Sequence, residues 1–515
     1  MKYKRFFAIM LGISVLISLT SLITPVFLQI WNSRQEVLTG EKVLLLISLI
    51  LLSKGLHLFF VVYRERFAKN YNKKNFSDYL CDFFAMNYDD LVKDGPTNIL
   101  ERMAMSVNSI YSFLTGDCIS LYSGAITAGA CLILFLLVDL KMALLLFLLL
   151  PVNYFSYRAL NQELARRSQE MQMQTGQGFQ QILSYVGQVD YLKQSADHTS
   201  ILRKLDPALE RVYGSMARVN EYAQSVSTLL AGLNEVAKNG ILIYSVYAFA
   251  GGSLSPYLLL LINLVMPLYF SSVNSIVNAN VNRRDFDVAL KFRQDLKEKR
   301  ENDGDRKLDA IDEMDLDVSE LAVPGKTIPF TAKGTLKKGD IVKICGESGA
   351  GKSSFAKTLL KFRPVQGVSF NGILLSELTN RAVRERVEYL PQSVPIIKGS
   401  LLENLQFGCE EKESDREYFE KEPILKSILQ DKNIDTEILE AGANLSGGEK
   451  QKIAVARALR READVLILDE ICSNIDKESS DEIYERIRRD RKKYITFIIT
   501  HDELPEGLAN VELNR

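Results

Sequence analysis

Residues 346–353 read Gly-Glu-Ser-Gly-Ala-Gly-Lys-Ser, spaced glycines closed by a lysine and a hydroxyl. The spacing G-x-x-x-x-G-K-[ST] suits one task, gripping phosphate. Glycine lets a backbone bend sharply, so the N–H groups of Gly346, Glu347, Ser348, Gly349, Ala350 and Gly351 can converge on a single anion. Lys352 is then placed to reach the outer phosphates of a nucleotide, the Ser353 hydroxyl to bind Mg²⁺, and Ser354 to complete the cradle. The loop needs a strand to feed it and a helix to leave it. Ile341, Val342 and Ile344 predict the strand; Phe355, Leu359 and Leu360 predict an amphipathic helix. The positive end of that helix would face the same anion.

More chemistry-bearing residues lie further along the chain, each beside an element that can position it. Gln392 closes Tyr389-Leu390-Pro391-Gln392 at the end of a predicted strand. Leu445-Ser446-Gly447-Gly448-Glu449 precedes a predicted helix over 450–460. Val465-Leu466-Ile467-Leu468 is a buried-type strand that ends in two acids, Asp469 and Glu470. Ser473-Asn474-Ile475-Asp476 comes next, and the strand Ile495–Ile499 runs into Thr500-His501-Asp502.

The first 280 residues are of another kind. Six apolar runs, 6–31, 42–63, 117–138, 142–160, 226–250 and 255–277, are each long enough to cross a bilayer. Between the third and fourth only Asp139-Leu140-Lys141 intervenes. Lysine and arginine crowd the N-terminus and the long loops 64–116 and 161–225, while the opposite loops carry little beyond Arg34, Lys42 and Lys141. That bias puts the N-terminus, both long loops and the C-terminal half in the cytoplasm. The long loops have helical spacing and are predicted to extend the spans, with breaks at Asp94-Gly95-Pro96 and near Pro207. Turns near Asp89–Thr97 and Gln188–His198 are expected at their tips, where they could touch the soluble half. Four ionisable residues fall inside spans: Lys54 with His57, and Glu235 with Lys238, each pair three apart on one helix face. Either these line a wet cavity or they form a structural ion pair, Glu235 with Lys54 or Lys238.

Taken together, the ordered motifs and six spans resemble an ATP-binding cassette (ABC) transporter of the exporter type. The resemblance covers nearly the whole chain, and Ile397–Asn404 and Glu440-Ala441-Gly442 also look like exporter segments. It implies a six-span α-helical membrane domain (1–282), a charged linker (283–315) and an α/β P-loop NTPase domain with a helical subdomain (316–515). ATP and Mg²⁺ are the implied cofactors. By the resemblance, Asp469 holds Mg²⁺ with Ser353 and Gln392, and Glu470 is the general base or water-positioner. Gln392 senses the metal and the attacking water, His501 contacts the γ-phosphate, and Ser446, Gly447 and Gly448 act on the nucleotide of the other subunit. A second half-transporter is therefore required. With Glu470 and His501 both present a homodimer is expected, and a heterodimer is the alternative.

Three departures stand out. Glu449 replaces the usual Gln, Val323 takes the place of the aromatic that stacks on adenine, so that stacking is weaker or Phe330 substitutes, and the chain ends at Arg515, soon after His501. The expected function is export of a peptide, amphipathic compound or lipid; the alternative is an ATP-gated channel or membrane regulator. Six scattered cysteines without a CxxC pair speak against disulfide or zinc frameworks. A net charge of −1, with no basic and aromatic cluster, excludes nucleic acid as an expected partner.

Overall fold

The computed structural model describes residues 2–34, 39–138, 140–194, 197–347, 349–461, 463–473 and 475–513. The chain divides into two compact units: Met1–Met86 with Asp94–Arg300, and Asn87–Lys93 with Glu301–Arg515. Ten helices occur among the described residues up to Glu298: α1 (Lys2–Ser33), α2 (Gly40–Phe84), α3 (Tyr88–Asp94), α4 (Pro96–Ser112), α5 (Cys118–Val138), α6 (Leu140–Val186), α7 (Val189–Gln194), α8 (His198–Leu209), α9 (Ser215–Ala250) and α10 (Pro256–Glu298).

Helices occupy all six expected span positions. Four stretches are long and apolar enough to cross a membrane among the described residues: Ala8–Trp31, Gly40–Phe84, Pro96–Leu137 and Leu258–Glu298. The other two expected spans lie in α6 and α9. In α9 the cluster Asn234, Glu235, Lys238, Asn239 dilutes the apolar run; in α6 several side chains of 142–160 lie outside the described residues.

The break at Asp94-Gly95-Pro96 is present. Gly95 takes φ +80°, and Pro96 starts α4, where its missing N–H costs nothing. The predicted break near Pro207 is absent. Pro207 lies inside α8, and the chain runs on through a π-helical turn, Glu210–Gly214, into α9. The wider turn reorganises the ladder downstream of the proline, and Arg211 Nε donates to the Pro207 carbonyl at 3.2 Å.

Small and hydroxyl residues set the close helix contacts of this unit. Ser18 Oγ donates to Ser123 O at 3.0 Å, tying α1 to α5. A Cβ added to Gly124 would meet Ser272 O of α10 at 2.8 Å, so only glycine permits that approach. Beyond the apolar stretch, buried Asp82 on α2 takes Arg293 of α10 and Arg300 just past its end, at 3.4 and 2.5 Å.

The second unit has two sheets. Strands β1 (Glu313–Val323), β2 (Lys326–Lys337), β4 (Val368–Phe370) and β5 (Ile373–Leu374) form an antiparallel sheet in the order β2-β1-β4-β5. Strands β3 (Ile341–Ile344), β6 (Val387–Leu390), β9 (Val465–Asp469), β10 (Ile495–Ile499) and β11 (Val511–Leu513) form a parallel sheet in the order β11-β3-β10-β9-β6. Buried on both faces, β9 is apolar up to Asp469 and β10 is apolar but for Thr496, the pattern of central parallel strands. A short ladder of β7 (Gly399–Ser400) and β8 (Glu437–Ile438) starts the helical subdomain.

The helices here are α11 (Lys352–Leu359), α12 (Asn380–Arg386), α13 (Leu401–Gln406), α14 (Asp415–Glu420), α15 (Lys426–Asp431), α16 (Gly447–Arg460) and α17 (Lys477–Asp490). One core wraps Phe355 and Phe497 between the two sheets; a second packs α16 against α13, α15 and β9. The segment Asn87–Lys93, which carries α3 but for its last residue, belongs to this unit. Tyr88 stacks on Phe362 at 5.0 Å, and Asp89 pairs with Arg363 at 3.0 Å.

Candidate functional site

Strand register builds the site. Ile344 of β3 lies opposite Ile499 of β10, Ile499 opposite Asp469 of β9, and Leu390 of β6 opposite Leu468. Four parallel strands therefore end level, and the segments beyond their carboxyl ends emerge side by side: the glycine loop after β3, His501 after β10, Glu470 after β9 and Gln392 after β6. Such strand ends are where α/β sheets bind ligands.

The glycine loop has the conformation its composition predicts. Gly349 and Gly351 take φ +82° and +91°, and Ala350 N donates to Glu347 O at 3.2 Å. Ser348 lies outside the described residues. Lys352 is the first residue of α11 and is buried except for 7 % of its surface. Its Nζ donates to Gly346 O at 2.7 Å and Glu347 O at 3.2 Å, with His501 Nε2 at 3.1 Å. Ser353 is exposed at the start of the same helix. Ser354 accepts from Arg363 Nη1 at 3.1 Å.

Glu470 directly follows β9 and takes φ +51°, a left-handed conformation that costs a non-glycine residue about 1–3 kcal/mol. The twist aims its carboxylate between two partners. Gln392 Nε2 donates to Oε2 at 2.7 Å, and His501 Nε2 lies 3.5 Å from Oε1. With the Gln392 amide nitrogen engaged, its carbonyl oxygen is left for a cation. Asp469 is buried, 5 % exposed, and accepts from the Tyr389 hydroxyl at 2.8 Å. Burial first, then the Asp469 charge, pushes the Tyr389 phenol far above its ordinary range, so it stays a donor.

The structure thus gathers Lys352, His501, Glu470 and Gln392 into one cluster: Lys352 can donate to His501 Nε2, Gln392 donates to Glu470, and His501 and Glu470 face each other at 3.5 Å. Ser446, Gly447 and Gly448 instead form the start of α16. Ser446 Oγ accepts from Glu449 N, and Glu449 Oε2 accepts from Ser446 N at 2.7 Å, a capping box. A Cβ at Gly448 would lie 3.0 Å from Ser479 Oγ and 3.2 Å from Asp476 Oδ2, so the helix start sits tight against the cap of α17. Asp476 caps α17 through Ser479 N at 2.8 Å; that backbone bond, with the Ser479 hydroxyl, holds its carboxyl below the usual range. Asn474 lies outside the described residues.

Glu449 is accounted for by Lys432, whose Nζ lies 2.5 Å away. Burial raises this carboxyl, but the Lys432 bond and the Ser446 contacts outweigh it and hold it below its ordinary value. Phe330 does not stand in for an adenine-stacking aromatic. It is buried, 5 % exposed, and stacks on Phe355 at 4.9 Å within the core. Sequence reading missed Tyr389, Arg363 and Lys432. The Tyr389-Leu390-Pro391-Gln392 context, which places Tyr389 three residues before Gln392, was the one available signal, and it pointed only to Tyr389.

Residues 331–473 match the family model described as ABC transporter. An ATP-dependent lipid A-core flippase 2 of Colwellia psychrerythraea is 33 % identical over 186 residues, 34 % of this chain and 32 % of that protein. A sublancin-168-processing and transport ATP-binding protein of Bacillus subtilis is 34 % identical over 180 residues, 33 % of this chain and 24 % of its own length. The chain thus spans a third or less of the first curated relatives it matches. An ATP-dependent lipid A-core flippase of Ralstonia nicotianae aligns more widely, 24 % identical over 426 residues, 78 % of this chain and 70 % of that one. In fold, the chain matches a bacterial Atm1-family ABC exporter with ATP bound, with a TM-score of 0.83 at 17 % identity, over 97 % of this chain and 91 % of that one. Residues 331–473 thus carry the match to the ABC transporter family, and the chain as a whole has the fold of that exporter, a helical domain followed by an α/β domain in one polypeptide.

Proposed function

We propose that the protein is one half of a dimeric, ATP-driven exporter in a cell membrane, with its nucleotide-binding domain on the cytoplasmic side. The observation that carries this is the cluster of Lys352, His501, Glu470 and Gln392 at the level ends of four parallel strands. In this reading the loop amides from Gly346 to Gly351, Lys352 and Ser354 hold the phosphates of ATP. Glu470, oriented by Gln392 and His501, positions the attacking water and takes its proton.

The residues present fit Mg²⁺. Among the described residues no group of three His, Cys, Asp or Glu could cage a metal by itself. One acid, Asp469, with the Ser353 hydroxyl and the Gln392 carbonyl, suits a hard cation that completes its shell from phosphate oxygens and water. When bound, that ion supplies positive charge that offsets the charge of the phosphates.

Ser446, Gly447 and Gly448 offer a helix N-terminus whose Ser446 hydroxyl accepts within the cap and keeps its own proton to donate. Serving the nucleotide of a second subunit, they make ATP the bond between two copies, and hydrolysis loosens it. The transported substrate in this reading is a lipid, peptide or amphipathic compound; the names of the relatives, lipid A-core flippase and sublancin-168-processing and transport ATP-binding protein, support the first two. Inside-out vesicles test the reading: ATP should drive accumulation against a gradient, and Glu470→Gln should abolish it. ATP hydrolysis without any accumulation would sink the exporter reading in favour of a gated channel or regulator.

A further inference from the structure

The end of β6 reaches both acids of β9, and only one of these contacts belongs to the chemistry above. Tyr389 pairs in register with Ile467, and its side chain extends two residues onward to give Asp469 Oδ2 a hydrogen bond at 2.8 Å. Three residues later Gln392 gives Glu470 Oε2 a bond at 2.7 Å. Neighbouring acids are thus held by separate donors from one strand terminus. We propose that Tyr389 is a positioning residue for the metal: its hydroxyl engages Oδ2 of Asp469 and presents the other oxygen, Oδ1, to Mg²⁺. The proposal rests on the reading of Asp469 as a Mg²⁺ ligand.

The physical reason lies in the burial of Asp469. A buried carboxylate with neither oxygen anchored rotates about its last bond and divides its charge between orientations. A phenol is a good anchor because it donates without adding charge, so the full carboxylate charge stays available to the cation. Groups that orient a metal ligand from behind typically change metal affinity by about 10–100-fold when removed. A tyrosine that merely filled the core would contribute to stability alone, and its hydroxyl would not affect metal affinity.

The test uses full-length protein in nanodiscs and a fluorescent ATP analogue, with binding followed as Mg²⁺ is titrated and again in EDTA. For Tyr389→Phe the Mg²⁺ midpoint should rise about 10-fold, while analogue affinity in EDTA stays within about twofold of wild type. Tyr389→His, which keeps a ring donor, should recover part of the shift. Thermal unfolding of each variant is read alongside. A Tyr389→Phe titration that superimposes on wild type overturns the proposal. So does an equal loss with and without Mg²⁺, which marks a packing role. Asp469→Asn separates the two levels of the argument. If it leaves the Mg²⁺ dependence intact, the assignment of Asp469 falls and takes the proposal with it. If it abolishes that dependence while Tyr389→Phe does nothing, the assignment of Asp469 stands and the role of Tyr389 is wrong.

Discussion

The backbone at Glu470 is held against its preference, and the reason is chemical. A left-handed residue directly after β9 turns the carboxylate out of the sheet and between Gln392 and His501. Glu470→Gln keeps the shape and removes the carboxylate proposed as the base. ATP binding should persist, hydrolysis should fall at least about 100-fold, and the protein should accumulate as a nucleotide-bound dimer; single-turnover assays and size analysis would read this. Glu449 is a second residue-scale case. Glu449→Gln retains the capping box but loses the charge paired with Lys432, a partly buried contact worth about 0.5–1 kcal/mol. The folded carboxyl titrates below its ordinary value, so its contribution is present above the unfolded pKa and disappears as pH falls through the folded one. The difference in unfolding temperature between wild type and Glu449→Gln should therefore shrink on acidification below about pH 4.

Among elements, α3 and α5 carry the clearest consequences. Asp89 of α3 pairs with Arg363, and Arg363 also donates to Ser354, one residue past the Ser353 hydroxyl. This chain of bonds connects a segment from between two spans to the phosphate loop. Arg363→Ala should leave basal ATP hydrolysis within a few-fold but remove its stimulation by transported substrate, as measured in proteoliposomes. Unchanged stimulation would show that Arg363 has no part in coupling. On α5, Gly124 lets the backbone of α10 approach. Gly124→Ala forces a methyl against Ser272 O and should cost about 1–3 kcal/mol, visible as a lowered unfolding temperature in detergent.

For the whole molecule, the polar residues of the membrane unit matter most. Glu235 and Lys238 pair along α9 at 2.5 Å, and the Glu235 side chain is 60 % exposed, so of the two expected pairings the intrahelical one is found. Lys54 and His57 are exposed on α2. Charges at that depth are costly in lipid, which is the argument for a wet cavity. Lys54→Met should reduce substrate-stimulated hydrolysis while basal hydrolysis survives, and full transport in the variant would remove the cavity role.

Much of this architecture could be read from residue types in order. Glycine spacing, strand apolarity and adjacent acids report local backbone demands, so the loop, β9, β10 and the start of α16 were legible one by one. Four of the six expected spans are apolar enough to stand on length and composition alone; α9 is not, because four polar residues interrupt it. Pro207 misled because a proline is only a statistical helix breaker: here it sits inside α8, and the chain stays helical through the π-turn Glu210–Gly214 into α9. Local pattern determined which groups can do chemistry and which strand or helix end bears each. Only the tertiary structure decided who holds whom. Tyr389 behind Asp469, Lys432 beside Glu449 and Phe330 locked against Phe355 are separated by 80, 17 and 25 positions in sequence, and strand register and core packing, which no local period encodes, bring them together.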